Sequence, residues 1–345
     1  MVHRLLPRRA ALGLLAASAL FGAAPAGAQQ QVVNVYTNRE PGLYSATLDE
    51  FTKATGIKVN ALFSEQGLAE RIRTEGANSP ADVLITVDIG RLQEAVDLGI
   101  TQPVRSEVLA ANIPAAYRDP DGQWFATSLR ARTIYASKER VSDQSLTYED
   151  LADPRWKGKI CTRSGQHQYN IALIAAFIVK NGEARAEEWL RGVKANLAKK
   201  PSGGDRDVAK DIAAGVCDIG LGNQYYVGLM TNGTNADQKR WAEAVKVILP
   251  RFRDGGTHVN VSGAVVTKHA PNRDNAVKLL EYLTTPEAQR VLADVNYEYP
   301  VRAGIAINPL VASFGELRPD PMPVAEVARA RAQASALVDR VGFDR

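Results

Sequence analysis

The sequence predicts an α/β chain folded as two lobes, on three observations. Short β-branched runs alternate with helical stripes from Val32 onwards, the alternation restarts near Arg130, and 345 residues suffice for about two domains of roughly 150 each. The opening strand is Val32-Val33-Asn34-Val35-Tyr36. Pro41 suits a first helical turn, with Leu43, Ala46, Leu48, Phe51 and Ala54 as its apolar stripe and Gly56 as its stop. Residues 57–63 alternate as a second strand, 68–75 read as a helix, and 81–86 as a third strand. This order predicts a parallel sheet covered on both faces.

The second unit holds a strand at 160–163, a helix at 169–180 ended by Gly182, a helix at 183–198 and an extended segment at 216–222. Residues 257–266 are strand again, followed by helices at 273–283 and 286–295 and one amphipathic helix over 324–341. Residues 32–129 with about 252–303 are expected to form the N-terminal lobe. Residues 130–251 with about 304–345 are expected to form the C-terminal lobe, with crossing strands between the two and the ligand at strand carboxyl ends facing a cleft.

Residues 1–28 read as a secretion signal: a basic start, a small apolar run from Ala10 to Ala24, and Ala26-Gly27-Ala28 before Gln29. Arg8-Arg9 hints at twin-arginine export, but Ala10 and Ala11 follow, so the ordinary route stays open. The expected location is the periplasm. Without Arg4, Arg8 and Arg9 the formal net charge falls from +4 to +1, which removes the basis for a nucleic-acid partner. Apolar residues at 45% and charged residues at 23% suit a soluble globular protein, expected as a monomer. Cys161 and Cys217, an even pair in an oxidising compartment, are expected to form a disulfide, with free thiols as the alternative. There is no nucleophile elbow, HExxH, P-loop or nicotinamide glycine fingerprint, and only four histidines, so an enzyme is not expected.

Several segments together resemble the periplasmic ferric-ion-binding proteins, the receptors of iron ABC transporters. They are Tyr36-Thr37-Asn38-Arg39-Glu40-Pro41-Gly42-Leu43, Asn78-Ser79-Pro80-Ala81-Asp82-Val83 and Gly222-Asn223-Gln224-Tyr225-Tyr226. Leu151-Ala152-Asp153-Pro154-Arg155-Trp156-Lys157-Gly158-Lys159 and Asn296-Tyr297-Glu298-Tyr299-Pro300-Val301 are similar to further landmarks. The likeness runs from about Val32 to Ile305. It implies a type II periplasmic binding protein fold with hinge strands, Fe(III) as the cargo and an inner-membrane ABC permease as the partner. The alternative is a receptor of the same fold for a polyamine, an oxyanion or a thiamine compound.

Fe(III) is a hard cation that stabilises phenolate strongly enough to displace its proton, whereas Ca(II) and Mg(II) favour carboxylates and carbonyls. Tyr225 and Tyr226 are therefore the leading metal ligands. Being neighbours, they can share one ion only in a turn or at an element end, because a regular strand would point them to opposite faces. The resemblance implies Tyr169 as the third phenolate. Some members of the family carry His and Tyr where this chain has Glu40 and Pro41. The chain thus looks closer to members that complete the shell with a synergistic anion such as carbonate, with Glu40 as a further carboxylate candidate. Arg39, ahead of a Pro-started helix, offers the anion a guanidinium fork and helix N–H groups. Arg130 and Arg132, two apart on one strand, point the same way, Arg130 being preferred. Weaker metal candidates are His167, His258, Asp82 and Asp88, for which core packing, capping or ion pairing explains as much. Tyr297, Glu298 and Tyr299 read as packing around Pro300.

Overall fold

The structure, a computed structural model, describes residues 31–39 and 41–345, the side chains at 41 and 43 excepted. The signal expected at 1–28 and the candidate ligand Glu40 lie outside the described residues. Among those residues no helix is long and apolar enough to cross a membrane.

Nine strands are present among the described residues: β1 (Val32–Thr37), β2 (Lys58–Phe63), β3 (Val83–Thr86), β4 (Phe125–Ser137), β5 (Ile160–Cys161), β6 (Ile219–Asn223), β7 (Val245–Ile248), β8 (Val259–Val266) and β9 (Tyr299–Pro300). Their order is β2-β1-β3-β8-β4-β6-β5, with β7 and β9 also paired to β4. The expected parallel pairing holds for β1 with β2 and β3, and for β5 with β6. It fails in the middle, where β8 runs antiparallel to β3 and β4, and β4 runs antiparallel to β6, β7 and β9. The sheet is mixed because β4 carries the chain out of one body and β8 brings it back, so neither belongs to a right-handed βαβ repeat.

All 13 residues of β4 are buried. Up to Ala131 the strand pairs with β8, and from Arg132 onwards it pairs with β6 and β7. One strand therefore serves two cores. The first contains Val33, Phe51, Leu84, Trp124, Val265 and Leu279, and the second Ile134, Ile174, Phe177, Trp189 and Leu337. A smaller cluster holds Tyr135, Val208, Cys161 and Cys217, and the two cysteines form the expected disulfide.

Two helices differ from expectation. The helix Pro41–Thr55 starts on Pro41, but it buries Tyr44, Thr47, Leu48 and Phe51 while Ala46 and Ala54 are exposed. The large rings set the buried face, since burying an aromatic side chain gains far more than burying a methyl. The single helix expected over 324–341 is two, Val324–Arg329 and Arg331–Val341. Val324, Ala325 and Ala328 pack in the first core, whereas Ala334, Leu337 and Val341 pack in the second. The first piece lies between the cores, its Val327 packing in the second, and the break at Ala330 turns the next helix to the second core alone.

Candidate metal centre

The run of β6 leads directly into the helix Gln224–Asn232, which places Tyr225 and Tyr226 in its first turn. That is the element end which neighbouring side chains need to share a site, and their ring centroids lie 4.2 Å apart. The junction is pinned on several sides. Gln224, fully buried, accepts from the Ala131 N–H at 2.9 Å through Oε1 and donates to the Tyr297 carbonyl at 3.0 Å through Nε2. The Tyr135 hydroxyl donates to the Asn223 carbonyl at 2.5 Å. Position 222 must be glycine, because a Cβ there would lie 2.2 Å from the Tyr135 ring.

Tyr169 sits in the first turn of another helix, Gln168–Asn181. Its hydroxyl lies 3.3 Å from that of Tyr225, although the two residues are 56 apart in the chain. His167 caps this helix, Nδ1 accepting from the Tyr169 N–H at 3.2 Å. Burial, and then Arg163, lowers its pKa to about 3, so the ring is neutral and spent on the cap.

The three phenols open into a cavity of about 90 Å³, shared with Arg39, Arg130, Arg206, Glu298 and Asn38. Larger depressions exist, of about 550 Å³ beside Arg105 and Arg118 and about 240 Å³ beside Gln66 and Arg91, but neither gathers phenols. Chemistry rather than size picks out the site. Among the described residues no three His, Cys, Asp or Glu side chains cluster as a metal site. Burial, reinforced by Tyr169, pushes the Tyr225 phenol well above its ordinary value, and Tyr226 rises for the same reasons. Without a cation these two hydroxyls stay protonated at neutral pH. A strong Lewis acid is one kind of group able to offset the cost of ionising them, as the neighbouring guanidiniums of Arg130 and Arg163 do in part.

The predicted arginines separate into three situations. Arg39 donates to Ser262 Oγ at 2.6 Å and grips both oxygens of Glu298, at 2.9 and 3.3 Å. Ser128 donates to the same carboxylate, so Glu298 ties the end of β1 to β4, and Arg39 carries the link to β8 through Ser262. Arg130 donates to the Val261 carbonyl at 2.9 Å and reaches the Tyr169 hydroxyl at 3.4 Å, with no carboxylate paired to it among the described residues. Arg132 does not line the cavity. It is bound to Asp205 at 2.7 Å, to Asn170 at 2.7 Å and to Asn223 at 3.1 Å. Arg163 shares Asp205 at 3.3 Å.

Asp88 caps the helix Ile89–Asp97 and pairs with Arg331 at 3.0 Å, and Asp82 accepts from Asn34 and Asn272. His258 is buried beside β8, its pKa lowered to about 3 by burial and then by Arg132. None of the three reaches the phenols. Glu298, read from sequence as packing around Pro300, instead stands in the cavity wall. Arg206 was not singled out at all: its guanidinium lies 4.7 Å over the Tyr226 ring. The sequence offers only a weak signal for it, a Gly203-Gly204-Asp205 turn before a helix start.

Comparison with known proteins gives the family of the chain. Residues 78–319 match the family of bacterial extracellular solute-binding proteins. The Synechocystis "Iron uptake protein A1" is 44% identical over 91% of this chain and 88% of its own length. A solved "Bordetella ferric binding protein" superposes with a TM-score of 0.87 at 56% identity, covering 91% of this chain and 100% of that one. A Trichodesmium protein solved in complex with iron and citrate gives a TM-score of 0.87 at 44% identity, over 90% of this chain and 99% of that one. On the family match, these likenesses along nine-tenths of its length and the two-lobed type II fold it shares with them, the chain belongs to the bacterial extracellular solute-binding proteins, on the branch of the periplasmic ferric-ion-binding proteins.

Proposed function

We propose that this chain is a periplasmic receptor that captures Fe(III) and delivers it to an inner-membrane ABC permease, acting as a carrier and not as an enzyme. The observation that carries the reading is the convergence of Tyr169, Tyr225 and Tyr226 from two helix starts onto one cavity, with hydroxyls 3.3 Å apart between Tyr169 and Tyr225. Three phenolates match the charge and hardness of a ferric ion, and at Tyr225 and Tyr226 burial makes the proton costly to lose without such an ion. A synergistic oxyanion such as carbonate completes the shell. Arg130 anchors it, being free of a carboxylate among the described residues, and Arg39 reaches it by sharing its fork with Glu298. Arg132 supports the site from behind through Asp205.

The lobes, 32–129 with about 252–303 and 130–251 with about 304–345, of which Val311, Val324, Ala325 and Ala328 pack into the first core, close on the cargo by a twist in β4 and β8. The ligand drives this closure as a population shift. The iron-loaded protein should be coloured by phenolate-to-Fe(III) charge transfer and carry one iron per chain by metal analysis. Tyr225→Phe and Tyr226→Phe should each abolish the band and tight binding. A colourless wild type, or either variant with an unchanged spectrum and affinity, rules the assignment out.

A further inference from the structure

Resting on that reading, the charges around the cavity say more about the second ligand. Arg39, Arg130 and Arg206 line the wall against a single carboxylate, Glu298, which leaves two positive charges uncompensated. Fe(III) entering with loss of three phenol protons changes that balance by nothing. Behind the wall Arg132 and Arg163 share one Asp205, which deepens the same sign. In a buried site such an excess calls for a counter-charge of matching size.

Arg206 is the member of the set with no other occupation. It stacks over the Tyr226 ring at 4.7 Å, and its Nε is buried without a partner. It makes no hydrogen bond or ion pair among the described residues, whereas Arg39 is held by Glu298 and Ser262. Asp205, its neighbour in sequence, is already taken by Arg132 and Arg163. A guanidinium held at a cavity wall by a ring face, with its fork unspent, is arranged for a planar or tetrahedral oxyanion. The volume of about 90 Å³ holds several water-sized groups, enough for an ion with a four- or five-atom oxyanion.

We propose that Arg206 is an anion-anchoring residue that works with Arg130, and that the cavity's excess of two positive charges selects a small doubly charged oxyanion over a singly charged one. The anion then touches the tyrosine side of the site through Arg206 as well as the β4 side through Arg130.

The test uses iron-stripped protein and anions whose charge is fixed near neutral pH: sulfate, doubly charged, and nitrate, singly charged. Calorimetric titration at constant ionic strength should show sulfate bound at least tenfold more tightly than nitrate. Arg206→Gln should weaken sulfate by about ten- to a hundredfold, the range of one lost charge-assisted contact, and Arg206→Lys should lose less. Sulfate affinity unchanged in Arg206→Gln, equal affinity for nitrate, or no sulfate binding by the wild type each overturns the proposal. The ferric reading is scored separately by the visible band. A coloured wild type with an indifferent Arg206→Gln sinks this inference alone, whereas a colourless wild type sinks the reading beneath it.

Discussion

Replacing Asp205 by Ala should destabilise the protein by about 4 kcal/mol, from the range for stranding one partner of a buried ion pair, and disturb the tyrosine pair without altering any cavity-lining residue. The Asp205 side chain is completely buried; Oδ2 takes Arg132 at 2.7 Å and the Asn223 N–H at 2.9 Å, and Oδ1 takes Arg163 at 3.3 Å. Arg132 is itself 2% exposed, so truncation strands its charge in the interior, at about 3–5 kcal/mol. The orphaned Asn223 N–H adds about 1–3 kcal/mol. Asn170 and Asn223 still accept from Arg132, which keeps the total towards the lower end. The pair Asp205→Leu with Arg132→Met should recover most of the loss, since apolar replacement of both partners leaves nothing stranded. Urea unfolding followed by tryptophan fluorescence measures both.

The pH dependence adds a check. Burial pushes the Asp205 carboxyl up, but Arg132 and Arg163 more than offset it and leave it below the ordinary value. Its stabilisation is present above the unfolded carboxylate range and disappears as pH falls through the folded value, so the gap between wild type and Asp205→Ala should narrow below about pH 4. A loss under about 1 kcal/mol at neutral pH, or a double variant no better than Asp205→Ala, would refute the ion-pair argument.

Gly222→Ala should cost about 1–3 kcal/mol, because the new methyl meets the Tyr135 ring at 2.2 Å. It should also shift the ferric band, since Tyr135 holds the carbonyl that precedes the tyrosine helix; an unchanged midpoint and spectrum would contradict this. His258 has its pKa lowered to about 3, so the unfolded chain takes the proton first and stability falls as pH drops below the ordinary histidine value. Between pH 6.5 and 5 this removes about 2 kcal/mol, which His258→Gln should spare. His167 has the same sign, so the variant should halve the slope; an identical slope counts against the assignment. Removing the disulfide as Cys161→Ala with Cys217→Ala, which opens a loop of separation 56, should cost about 4 kcal/mol in unfolding experiments. A double variant as stable as the wild type would mean that the bond constrains little.

Local features were the legible part of this fold. The helix Leu68–Glu75 coincides with its predicted span, and Pro41 opens a helix as its fixed φ suggests. The pattern of neighbouring tyrosines demanded an element end, and the first turn of a helix supplies it. What escaped depends on long-range pairing. Nothing in the β-branched run of β8 says that it lies antiparallel between β3 and β4, because hydrophobic pattern specifies a face and not a direction. The two arginines of β4 look equivalent at a spacing of two. Asp205, 73 residues from Arg132, separates their roles by claiming one of them. Arg206 and Glu298 were hidden for the same reason, each given meaning only by side chains from distant segments.

A final consequence comes from β4. The strand changes partners between Ala131 and Arg132, so Arg130 is paired to β8 and Arg132 to β6. The Ala131 N–H is held by Gln224, the residue before the tyrosine pair. A small torsion at this one peptide link therefore alters the spacing of Arg130 from the phenols and the tilt of two outer faces in the same movement. On the proposed reading, occupancy of the cavity becomes an angle displayed at the surface. A membrane partner is then able to sense the cargo without contacting it.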